Sequence, residues 1–194
     1  AIDRSAAESL KGVKRYRLPS ELNEDLAYMM GLLVGDGTLT YPNCFILSTK
    51  DAFIADEYRR IVSDLFGYQV GCKANGKDYF VSSKQIRVFL ASLGLGYGRA
   101  HEKHVPQSIL RAPKRIVIAF LQGLFDADGF VEKRYGNVRL STASIRLARE
   151  VQLLLLNLGI IASLRVRKTS AKPNYRLSIN GADAIAFHQR VGFR

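Results

Sequence analysis

Two stretches of the chain are apolar on nearly every face of a helix, and both stop abruptly on an acid and a glycine. Leu26-Ala27-Tyr28-Met29-Met30-Gly31-Leu32-Leu33-Val34-Gly35 runs into Asp36-Gly37, and Phe120-Leu121-Gln122-Gly123-Leu124-Phe125 runs into Asp126-Ala127-Asp128-Gly129. A helix with no polar face belongs at the centre of a fold. The first is predicted from Asn23 to Gly35, with Asn23 as N-cap and Glu24 and Asp25 in its first turn. The second is predicted from Pro113, as first helical residue, to about Ala127. Each is followed by alternating segments that read as a hairpin, 38–41 with 44–49 and 130–134 with 138–142, turning at Pro42-Asn43 and Gly136-Asn137. An amphipathic helix comes next (52–66 and 144–158), then two more strands (69–73 and 79–82; 162–168 and 175–179) and a third helix.

The same order of elements is therefore written twice. Gly31 aligns with Gly123, Gly35 with Ala127 and Asp36 with Asp128 at an offset of 92 residues; Ser48-Thr49 aligns with Ser141-Thr142 at 93, and Gly67 with Gly159 at 92. Ser82 aligns with Ser178 at 96 and Gly94 with Gly192 at 98, the slow drift that loop insertions between shared elements produce. The expected fold is mixed α/β (α+β), with two pseudo-symmetric αββαββα repeats. The boundaries read as an N-terminal extension (1–17), a first repeat (18–99), a linker (100–112) and a second repeat (113–194). Gly31 and Gly35, and Gly123 and Ala127, are each four apart and share a helix face, so two backbones can approach closely there. That accounts for glycines which otherwise cost a helix about 1 kcal/mol each relative to Ala. It also brings Asp36 and Asp128 to the same end of the pair. Asp126, two helical positions from Asp128, faces elsewhere and reads as a local hydrogen-bonding or solvated residue.

Composition adds a partner. Of 194 residues 47% are hydrophobic, enough for a packed core, and no run approaches the roughly 18 apolar residues of a membrane span. The first residues lack the apolar core of a signal peptide, so an intracellular protein (cytoplasm, nucleoid or organelle matrix) is expected. Cys44 and Cys72 match no zinc spacing and are expected to be buried thiols. Lys and Arg number 29 against 17 Asp and Glu, a net charge of +12 spread along the chain, which suits a folded surface matched to nucleic acid. Two carboxylates at the negative ends of two helix dipoles repel one another, and a divalent cation with oxygen ligands resolves the conflict. Phosphodiester hydrolysis is the chemistry that joins such an acid pair to a polyanion.

"MMGLLVGDG" and "FLQGLFDADG" resemble the two copies of the LAGLIDADG motif, and from about Leu18 to Arg194 the chain is similar to a monomeric LAGLIDADG homing endonuclease. The first copy departs from the motif where Val34 replaces the earlier Asp; the second matches well. The resemblance implies that the two motif helices form the interface between halves and that two curved antiparallel sheets form a saddle on double-stranded DNA. It implies hydrolysis of both strands of a long asymmetric site, leaving short 3′ overhangs. Mg²⁺ is the implied cofactor, with Mn²⁺ able to substitute and Ca²⁺ able to occupy the site without turnover. The implied metal ligands are Asp36 and Asp128, with Gly35 and Ala127 beside them. Lys103 in "HEKHVPQSIL" and Lys50 after "CFILST" stand where the family places a basic catalytic group; Lys50 has Ala143 as its counterpart, and the counterpart of Lys103 would fall near position 201. His101 and His104 form only a weak metal pattern. Lys73, Lys77, Lys133, Arg134, Arg139, Arg165, Arg167 and Arg176 lie in strands or hairpin tips as candidate DNA contacts, with Arg165 and Arg167 on one face of their strand and Leu164 and Val166 on the other. "LPSELNEDLAYMMGLLVGDG" and "FHQRVGFR" look like the endonuclease of an intein, without splicing blocks. The alternative is a regulator or RNA maturase that keeps the fold and has lost cleavage.

Overall fold

The computed structural model describes residues 2–96, 99–167 and 174–194. A short helix α1 (Ser5–Glu8) precedes the first apolar helix α2 (Glu24–Asp36), then β1 (Gly37–Thr38), β2 (Phe45–Ser48), α3 (Ala52–Phe66), β3 (Gly71–Cys72), β4 (Asp78–Val81) and α4 (Lys84–Ser92). After a 3-10 turn at Ala100–Glu102 and a short α5 (Gln107–Leu110) the order recurs: α6 (Lys114–Asp128), β5 (Gly129–Val131), β6 (Val138–Thr142), α7 (Ile145–Asn157), β7 (Ser163–Arg167), β8 (Asn174–Ile179) and α8 (Gly181–Arg190). The strands form two antiparallel four-stranded sheets of identical topology, β1-β2-β4-β3 and β5-β6-β8-β7. The fold is thus mixed α/β with one sheet in each half.

Local chemistry sets most helix ends. The Asn23 side chain accepts from the Leu26 amide, Asp51 accepts from Phe53 and Ile54, and Ser83 and Ser144 cap α4 and α7 in the same way. Gly67 closes α3 in the left-handed region, at φ 64°. Pro113 is the N-cap of α6 and not its first helical residue.

α2 and α6 are the most closely packed pair of elements, and every residue of α2 from Leu26 to Gly35 is buried. A Cβ on Gly31 would overlap the Phe120 carbonyl oxygen, and one on Gly123 would overlap that of Tyr28. The helices therefore touch backbone to backbone. Gly35 meets the Ala127 Cβ in the same seam. Both halves drain into one hydrophobic cluster that includes Leu33, Leu124, Phe125 and Phe187.

Three expectations need correction. Cys44, just ahead of β2, is half-buried, and Cys72 is exposed because β3 is a two-residue edge strand with a neighbour on one side only. Val166 is 57% exposed, so β7 does not bury its apolar side as simple alternation predicts; it too is an edge strand. The alignment of Ser82 with Ser178 is two residues out. Val81 pairs with Phe45 and Ile179 with Val138, so Phe80 is the counterpart of Ser178, and a slip of two leaves the sheet face unchanged. β1, β2, β3 and β5 are also shorter than predicted, whereas β6 spans 138–142 as expected, and the predicted end of β7 at Lys168 lies outside the described residues.

Candidate active site and nucleic-acid face

Asp36 and Asp128 are the last residues of α2 and α6, and the glycine seam delivers both to one end of the helix pair. Burial first, and then the negative charge of Asp128, push the Asp36 carboxyl from an ordinary 3.8 up to about 6, against an opposing pull from Lys103. Burial raises Asp128 as well, again opposed by Lys103. Each acid is thus uncomfortable when charged, and the pair is short of positive charge.

Lys103 supplies part of it. Its ammonium donates to the Gly35 carbonyl and lies 4.0 Å from the Asp128 carboxylate, with only 13% of the side chain exposed. The linker that carries it is fixed from the second half: the Ser144 hydroxyl donates to the Lys103 carbonyl at 2.6 Å, and the Val105 amide donates to Glu150 at 2.7 Å. The same Ser144 oxygen caps α7. Ser144→Ala is expected to cost about 1–3 kcal/mol, the loss of a cap and a buried hydrogen bond, read as a lower urea midpoint at unchanged m-value.

The other candidates fall elsewhere. Lys50 is exposed and makes no hydrogen bond or ion pair with either aspartate among the described residues. His101 is exposed, and a His104 ring nitrogen lies 3.1 Å from the Glu102 carbonyl. Asp126 accepts the Tyr28 hydroxyl at 2.8 Å and the Arg194 amide, so it ties α6 to α2 on a side away from the acid pair and is neither local nor solvated. No cluster of three or more His, Cys, Asp or Glu occurs among the described residues. Two carboxylates with adjoining carbonyls form an all-oxygen donor set, which fits Mg²⁺ or Mn²⁺ completed by water and phosphate oxygens and does not fit zinc.

The basic candidates lie on strands and turns. Lys73 pairs with Asp78 at 3.3 Å, and Lys77 is exposed on the β3–β4 turn. Lys133 and Arg134 are exposed on the β5–β6 turn, the latter 5.0 Å from the Tyr135 ring centre. Arg139 is held by Glu132 at 2.6 Å. With Arg165, Arg167 and Arg176 it lines one polar depression, where the buried Arg176 Nε has no hydrogen-bond partner among the described residues. Burial and the charges of Arg167 and Arg139 lower the Arg176 pKa, the mark of a crowded cationic patch.

Sequence reasoning missed Tyr28, Ser144, Glu132 and Glu150 as the groups that position the rest. Ser144 is the N-cap of α7, Glu150 lies within that helix and Glu132 follows β5, and nothing local to any of them points to its partner; the Tyr28 contact spans 98 residues.

Residues 115–192 match the family model of the LAGLIDADG-like domain, so the chain carries such a domain. The homing endonuclease I-DmoI has the same fold: a structure of its mesophilic variants superposes with a TM-score of 0.68 at 22% identity, over 87% of this chain and 90% of that one. I-DmoI in complex with DNA and Mn gives 0.67 at 20% identity, over 89% and 98%. The N-terminal LAGLIDADG domain of WhiA gives 0.62 at 11% identity, over 98% and 88%. Among curated proteins the chain is 33% identical over 96% of its length to the replication factor C small subunit of Methanocaldococcus jannaschii, and 30% identical over 100% to elongation factor 2 of Methanopyrus kandleri. It spans only 11% and 15% of those relatives. No helix among the described residues is long and apolar enough to cross a membrane.

Proposed function

We propose that the chain is a site-specific DNA endonuclease that works as a pseudosymmetric monomer, hydrolyses both strands of a long duplex site and leaves short 3′ overhangs. The observation that carries this reading is the meeting of Asp36 and Asp128, one from each half, beside Lys103. Pure binding has no use for two half-buried, mutually repelling acids at a helix-pair terminus, where they cost stability.

The residues divide the work by chemistry. Asp36 and Asp128, with the Gly35 and Ala127 carbonyls, would hold Mg²⁺. When bound, the ion supplies neutralisation of the acid pair, polarisation of the scissile phosphate and a more acidic water. Lys103 places a fixed positive charge next to Asp128 and is suited to stabilising charge that develops on phosphate oxygens. The +12 surface draws the duplex in and aligns it through phosphate contacts.

The relatives favour an origin inside a host protein. A replication factor, an A-type ATP synthase component, an elongation factor and a DNA helicase share no activity by name, yet each aligns with this chain over 11–23% of its own length. A mobile segment inserted into unrelated hosts explains that pattern, and it supports an intein-borne endonuclease that initiates homing. The rival reading is a regulator or RNA maturase on the same fold, since fold alone does not decide between cutting and binding.

A library of supercoiled plasmids with randomised inserts, incubated with the protein in Mg²⁺ or in EDTA, tests the reading. Linear plasmids with 3′ overhangs and one shared site are expected in Mg²⁺ only. Sequence-specific retention of plasmid without any nicking would overturn cleavage in favour of the rival.

A further inference from the structure

The two sheets have the same topology but opposite chemistry on the face away from the core. Their ladders give the correspondence directly. Ile46 pairs with Phe80 and Ser48 with Asp78 in the first sheet; Arg139 pairs with Ser178 and Ser141 with Arg176 in the second. Ile46 therefore stands where the second sheet has Arg139, Phe80 where it has Ser178, and Asp78 where it has Arg176. On the outer strands Lys73 is hydrogen-bonded to Asp78 through the backbone, in the place that Arg165 takes beside Arg176.

The consequence for charge is large. In the first sheet Lys73 is neutralised by Asp78, which also accepts from Ser48 and Asn75, so this ladder pair carries no net charge. Beside that pair lies an apolar patch: the Phe80 ring lies over Gly71, where a Cβ would collide with it, and Tyr41 and Phe80 line a shallow depression, together with Cys44, Lys73 and Ser82, over Ile46, which is only 6% exposed. In the second sheet Glu132 pairs with Arg139 at 2.6 Å and acts on Arg176 only at longer range, and no carboxylate lies within ion-pair distance of Arg165, Arg167 or Arg176 among the described residues. Three guanidinium groups are left to face a ligand.

We infer that the two halves read DNA by different means: the second sheet reads a guanine-rich half-site through Arg165, Arg167 and Arg176, and the first reads a thymine-rich half-site through Phe80 and Tyr41, with Ile46 packed beneath them. Guanine offers O6 and N7 as paired acceptors to an arginine fork in the major groove, whereas thymine offers a methyl group to an apolar face. The inference rests on duplex DNA being the ligand, but not on cleavage.

Selection of randomised duplexes by the full chain in EDTA tests it without any cutting. The recovered consensus is expected to have guanines concentrated in one half and thymines in the other, each favoured position enriched about tenfold. Arg165→Ala with Arg176→Ala should erase the guanine preference alone and flatten the dependence of binding on salt; Phe80→Ala should erase the thymine preference and leave the salt dependence unchanged. Asp78→Arg should create a guanine preference in the thymine half. A consensus with equal guanine content in both halves, or loss of both preferences in every variant, would overturn the inference while leaving the endonuclease reading intact. Retention of no duplex at all would overturn both.

Discussion

Asp36→Asn and Asp128→Asn are each expected to lower strand cleavage by on the order of 10³-fold and to leave duplex binding nearly unchanged. Plasmid linearisation measures the first and a filter or mobility-shift titration in EDTA the second. The accompanying stability change has an unusual sign. A carboxyl whose folded pKa is raised, here Asp36 to about 6, favours folding when protonated; that contribution is complete below its unfolded value near 4 and is lost as pH rises through about 6. At pH 7 and above the metal-free protein therefore carries a penalty that asparagine removes. Asp36→Asn should be more stable than the unaltered chain there by about 1–2 kcal/mol, the shift being discounted for partial exposure, and indistinguishable from it near pH 4. Adding Mg²⁺ should reverse the order, because only the chain with both acids gains from the ion. A mutant that loses cleavage and is also less stable at pH 7 without metal would mean that Asp36 is a structural cap and not a strained ligand.

Much of this site is legible in the sequence for a physical reason. Helices apolar all round, with small residues four apart, have few ways to pack, and Asp36 and Asp128 follow wherever the glycines lead. α3 matches its expected span to the residue because Asp51 and Gly67 are strong local signals at its two ends. Edge strands fall short of expectation, since alternation in sequence does not say where a ladder loses its neighbour; Gly71–Cys72 is all that remains of a predicted five-residue strand. Side-chain hydrogen bonds between distant segments, unlike the helix seam, are invisible in the sequence. Asp126 looks idle on its own helix because its partner Tyr28 is far away in the chain, and Ser144 looks like a plain N-cap until the linker carbonyl of Lys103 comes to rest on it. The contrast between Asp78 and Arg176 is hidden for another reason: it needs the ladder register, which the alignment of Ser82 with Ser178 misplaces by two.

Gly31→Ala and Gly123→Ala are expected to destabilise the protein by more than about 2 kcal/mol each, although alanine is the better helix former by about 1 kcal/mol. The new methyl meets backbone at both positions, the Phe120 carbonyl or the Tyr28 carbonyl, and a backbone inside its own helix cannot step aside. The helices must part, and the acids at their ends part with them. Gly35 makes the control, because its obstacle is the Ala127 side chain. Gly35→Ala should be destabilising alone and largely rescued by Ala127→Gly, a coupling of the size seen between residues in contact, whereas no small residue opposite can rescue Gly31 or Gly123. Urea denaturation of each variant beside the unaltered chain, with cleavage measured on all of them, checks this. Cleavage in the rescued pair should recover with stability if the seam's role is to hold Asp36 and Asp128 at a fixed separation. Recovery of stability without cleavage would show that the acids depend on more than the spacing of the helices that carry them.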